Sequence, residues 1–112
     1  MRGMYIYQCN QQEVFMDDVF TRFQMYETDF LQSENIFYLK KIIDIYIEVF
    51  LDENLVDDHE IFDSTNILLS NYASFDLINY LKDKIKKNDN NDELKKDLFE
   101  LINMVKINLQ PK

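Results

Sequence analysis

Apolar residues recur with a helical period along most of the chain. The densest run, NIFYLKKIIDIYIEVFL from Asn35 to Leu51, sets Ile36, Leu39, Ile43, Tyr46 and Phe50 on one stripe, with Ile42, Ile45 and Val49 on a second beside it. Lys40, Lys41, Asp44, Glu48 and Asp52 leave only a narrow polar strip. A helix that is apolar over most of its circumference has to be covered on several sides. The pattern therefore predicts a central helix over 34–51 with the other elements packed around it. Ile43 to Leu51 also alternates, with β-branched Ile43, Ile45, Ile47 and Val49, so a strand over 43–51 is the competing reading. A continuous pattern this long exceeds the usual strand, and Tyr46 and Phe50 suit a solvent face poorly. Both points favour the helix.

The flanking segments read the same way. Residues 4–8, MYIYQ, allow a short N-terminal extended segment. Asn10 and Glu13 fit a capping box, and Phe15, Val19, Phe23 and Tyr26 then give a helix from about 11 to 27 that can run on to Leu31. Ser33 reads as the cap of the central helix. Beyond Leu51, Asp57 and Glu60 form a second capping pair before a stripe of Ile61, Phe62, Thr65, Leu68, Leu69 and Tyr72. Ser74 caps a fourth helix whose last turn is crowded by Lys82, Lys84, Lys86 and Lys87, as the helix dipole prefers. Asn90 and Glu93 read as a third capping pair for a last helix lined by Leu94, Leu98, Leu101, Ile102, Val105 and Leu109, stopping before Pro111. Connections are short, so consecutive helices should be neighbours. The expected architecture is all-α, one compact bundle of about five helices, with residues 1–112 forming a single domain.

Composition changes the picture in two ways. Nine Phe and seven Tyr without any Trp are more rings than a core of this size needs, so some reach the surface. The dominance of Asn, Ile, Lys, Asp, Tyr and Phe points to an AT-rich genome. The net charge of −9 is uneven, with 15 acids and 4 bases in residues 1–81 against 6 acids and 8 bases in residues 82–112. That balance opposes nucleic acid and anionic membrane and favours a basic partner. A single cysteine, Cys9, forbids an intramolecular disulfide and fits a reducing compartment. The start lacks the apolar region of a signal peptide, and no run is long enough to span a bilayer. A soluble, cytoplasmic protein is expected.

Candidate chemistry is sparse. His59, the single histidine, sits in HEIFD and lacks the second histidine of a zinc-protease HExxH. Cys9 has no predictable base beside it. Asp89, Asn91, Glu93 and Glu100 fall at calcium-loop positions, but Leu94 stands where that loop needs Gly. The only glycine is Gly3, so there is no phosphate-binding loop. KDKIKK, from Lys82 to Lys87, carries no interleaved aromatics, and dipole complement explains it. No cofactor, metal or catalytic residue is expected, and the chain reads as a non-enzyme.

The acids carry the strongest signal. Between Asp44 and Asp63 stand Asp44, Glu48, Asp52, Glu53, Asp57, Asp58, Glu60 and Asp63, with no Lys or Arg. Repulsion within such a run costs stability. It reads either as a solvated acidic loop or as a docking face for a basic protein, with Tyr46, Leu55, Val56 and Phe62 as apolar anchors. The functional expectation is an acidic protein-binding inhibitor of immunity or antitoxin type, covering the basic cleft of a nuclease toxin. In size, charge and helix content, though in no motif, the chain looks like small toxin-immunity proteins. A viral or phage antagonist of a host defence protein is the first alternative. A homodimeric structural or regulatory module, its surplus rings forming the interface, is the second.

Overall fold

The structure is a computed structural model and describes residues 19–52 and 59–109. Five helices follow one another: α1 (Val19–Ser33), α2 (Ile36–Leu51), α3 (His59–Asn71), α4 (Phe75–Lys87) and α5 (Asp92–Leu109). There is no strand among the described residues. The alternation over 43–51 is therefore carried on a helix, and the residues that would have faced solvent in a strand explain why. Tyr46 is buried and Phe50 half-buried, so both phases of the alternation need cover. The extended segment at 4–8, the start of the first helix, Cys9 and the Asn10–Glu13 and Asp57–Glu60 pairs lie wholly or partly outside the described residues.

α2 touches all four other helices, while α1 packs chiefly on α2 and α4 chiefly on α5. Seven of its sixteen residues are buried, more than in any other helix. At roughly 1.5–3 kcal/mol for each fully buried large aliphatic side chain, α2 supplies the largest share of the apolar burial. The single core cluster joins it to Phe23 and Phe30 of α1, Ile61 and Leu69 of α3, Leu77 and Leu81 of α4, and Leu94 and Leu98 of α5. Thr65 is the one polar residue in that core among the described residues, and its Oγ1 donates to the Ile61 carbonyl at 2.7 Å.

The helix ends explain the short connections and correct two expected caps. α1 runs on to Ser33, so Ser33 closes the first helix instead of opening the second. Its Oγ donates to the Asp29 carbonyl at 2.8 Å and accepts from the Asn35 amide at 3.1 Å. Asn35 is the N-cap of α2, its Oδ1 accepting from the Phe37 amide at 3.0 Å. Between them Glu34 turns the chain with φ 55°, the left-handed conformation that ends many helices. Ser74 caps α4 as expected, accepting from the Leu77 amide at 3.3 Å. The cap of α5 is Asn91, one residue later than the predicted Asn90, with Oδ1 3.0 Å from the Leu94 amide.

Candidate functional site

The predicted acidic face divides into two parts on the structure. On α2 its charges are matched. Asp44 accepts from the Tyr80 hydroxyl at 2.5 Å and pairs with Lys84 at 3.1 Å, both from α4. Lys40 and Lys84 also stand 5.6 and 5.1 Å from the centre of the Tyr80 ring. Burial, the Asp44 hydrogen bond and the negative charge of Asp44 and Asp83 together push the Tyr80 phenol above its ordinary range. Glu48 is held in a two-pronged pair by Arg22 of α1, with contacts of 3.2 and 2.6 Å. Asp44 and Glu48 thus serve helix packing. The sequence separations, 36 and 26 residues for the hydrogen-bonded contacts, hid these partners from a linear reading.

The second part remains open. α3 begins with His59, Glu60, Ile61, Phe62 and Asp63 and contains no Lys or Arg. Glu60 and Asp63 are exposed and have no cationic partner among the described residues. Asp52 ends the α2 segment, exposed and with a partner of its own. Glu53, Leu55, Val56, Asp57 and Asp58 lie outside the described residues. Of the expected apolar anchors, Tyr46 requires correction. It is only 4% exposed and belongs to the core. Phe62 is half-buried and meets the Tyr46 ring at 4.9 Å with an interplanar angle of 62°.

Tyr46 leads from this face to carboxylates of α5 that the expected acidic face left out. Its hydroxyl donates to the Asp97 carboxylate of α5. Burial, that bond and the charges of Asp97 and Glu100 hold the phenol neutral well past its ordinary range. Asp97 is one wall of a shallow groove of about 330 Å³ between α2 and α5, lined also by Phe50, Glu93, Lys96 and Glu100. Glu93, Asp97 and Glu100 are spaced four and three residues apart, one side of a helix. That spacing was visible in the sequence. It was masked because the carboxyl-terminal third sums to a slightly positive charge.

No protein family, curated protein or solved structure matches this chain. Among the described residues no group of three or more His, Cys, Asp or Glu side chains is placed to hold a metal ion. The calcium-loop spacing from Asp89 to Glu100 is a turn running into α5, with Asp89 bonded to Lys95 Nζ at 3.0 Å. His59 is exposed on the first turn of α3. No helix among the described residues is long and apolar enough to cross a membrane. What the arrangement offers is an acidic groove, Phe50 with Glu93, Lys96, Asp97 and Glu100, linked through Tyr46 to the half-buried Phe62 of α3, a helix that also carries the exposed Glu60 and Asp63.

Proposed function

We propose that this chain is a non-catalytic, acidic protein-binding inhibitor that seats a basic surface of its partner over the α2–α3–α5 face. The supporting observation is the groove between α2 and α5. Glu93 and Glu100 have no cationic partner among the described residues, and they flank the partly exposed ring of Phe50. Rings supply binding energy once desolvated, whereas unpaired carboxylates at the rim speed the approach of a cationic surface. An immunity or antitoxin role against a basic nuclease follows naturally, since carboxylates spaced along a helix can stand in for phosphates in a cleft built for nucleic acid.

The test is kinetic. A partner recovered from the source organism should be basic at its contact surface. Its association with a Glu60→Gln, Asp63→Gln, Glu93→Gln, Glu100→Gln variant should be at least about tenfold slower at low salt, with a flattened salt dependence. Association kinetics identical to those of the parent chain would dismiss this face as the binding site.

One observation supports a second reading, the homodimeric module. Phe99 and Ile107 are 51% and 67% exposed two helical turns apart on α5. Light scattering over a range of concentrations decides it: a dimer broken by Phe99→Asp supports self-association, and a monomer throughout removes it.

A further inference from the structure

A second groove lies between the α1–α2 corner and the α3–α4 corner, away from the acidic face. Phe30, Ile36, Leu39, Tyr72 and Ala73 make its apolar lining, and Ser74 and Glu34 complete it. The Phe30 and Tyr72 rings meet edge-on at 4.7 Å and 88°, which gives the groove a firm floor. Its volume, about 280 Å³, is just under the range of roughly 300–1,000 Å³ typical of small-molecule sites, and is room for one side chain.

Glu34 is the charged residue of this lining, and the turn it makes uses its backbone alone. Its backbone sits at φ 55°, a left-handed conformation that is strained for a non-glycine residue. Gly or Asn would make the same turn with less strain. The Glu34 amide closes α1 by donating to the Phe30 carbonyl at 2.6 Å, a bond any residue with an amide hydrogen could supply. Its carboxylate is exposed and has neither a hydrogen bond nor a cation among the described residues. A strained position that carries a carboxylate at the rim of an apolar groove is matched by a ligand that brings the opposite charge.

We propose that this groove is a docking site for a basic peptide segment of a partner protein, taking one apolar or aromatic side chain onto the Phe30–Tyr72 floor while an adjacent Lys or Arg pairs with Glu34. The site is independent of the α2–α3–α5 face and stands or falls without it.

Amide NMR of the full chain tests it, with N-acetyl-Phe-Arg-amide as the probe and N-acetyl-Phe-Glu-amide as its charge-reversed control. The Phe-Arg probe should shift the amides of Glu34, Leu39 and Ala73 saturably in about the millimolar range, and the Phe-Glu probe should bind about fivefold more weakly or less. Glu34→Gln, which leaves the backbone strain in place, should weaken the Phe-Arg probe about fivefold. Glu34→Gly should weaken it similarly while raising Tm, a pairing of opposite signs that a purely structural residue does not produce. Ala73→Leu, filling the groove, should abolish the shifts. Equal binding of both probes, shifts confined to Phe50 and Asp97, or no saturable shift at all would each overturn the proposal.

Discussion

The Tyr46 hydroxyl donates to the Asp97 carboxylate across 51 residues of chain, tying the most buried helix of the bundle to the wall of its acidic groove. The phenol is in the core and the carboxylate is half-buried at the surface. Removing the hydroxyl in Tyr46→Phe keeps the ring's packing against Phe62 and leaves Asp97 partly open to water. A hydrogen bond to a charged acceptor contributes roughly 1.5–3 kcal/mol, and partial solvation of Asp97 places the expected loss near the low end. Urea denaturation should show a lower midpoint with an unchanged slope.

The same bond sets an alkaline limit on the fold. Both Tyr46 and Tyr80 are held protonated above the ordinary phenol value of 10.0. A pKa raised in the folded state contributes stability that is fully present below the unfolded value and is lost as pH rises through the folded one. Stability should therefore fall steadily from about pH 10 upward. The Tyr46→Phe, Tyr80→Phe double variant should lose stability less steeply there, read as urea midpoints over a pH series. In the parent chain the ultraviolet tyrosinate signal of these two rings should arrive together with unfolding.

Glu34→Gly should stabilise the protein by roughly 0.5–1 kcal/mol, the left-handed strain relieved outweighing the added freedom of the unfolded chain. For a domain of about this size that is a rise of several degrees in Tm, measurable by calorimetry.

Ile43 has no solvent exposure on the helix that every other helix covers. Ile43→Ala should cost roughly 2–5 kcal/mol through lost burial and the cavity left behind. Against a total stability of about 5–15 kcal/mol this approaches unfolding, and chemical denaturation should show a much reduced midpoint. By contrast Glu48→Gln, which weakens the half-exposed pair with Arg22, should cost less than about 1 kcal/mol and matter less in high salt.

The helices were legible because burial writes a period of 3.6 into Ile36–Phe50, Ile61–Tyr72 and Leu94–Leu109. The caps were less so. Ser33 and Asn35, like Asn90 and Asn91, are pairs of good capping residues one or two positions apart, and the choice between them is made by how far the preceding helix or turn runs. At the α1–α2 corner it is made by Glu34 entering the left-handed region. The acidic face was legible as composition but not as geometry. Neutralisation of Asp44 by Lys84 and of Glu48 by Arg22 depends on which helices cross. The Glu93–Asp97–Glu100 stripe came into view only once Tyr46 turned out to reach it from the interior.

Among the described helices α2 is the shared neighbour of the other four, so a break in the chain uncovers apolar surface. A cut in the turn at 88–91 would strip α5 from α4 and α3, and a cut at Glu34 would strip α1 from α2, so either would lay bare oily surface of the described helices. A half-assembled ensemble should therefore not accumulate on melting. Calorimetric and van't Hoff enthalpies of melting should accordingly agree, the signature of a single all-or-none transition.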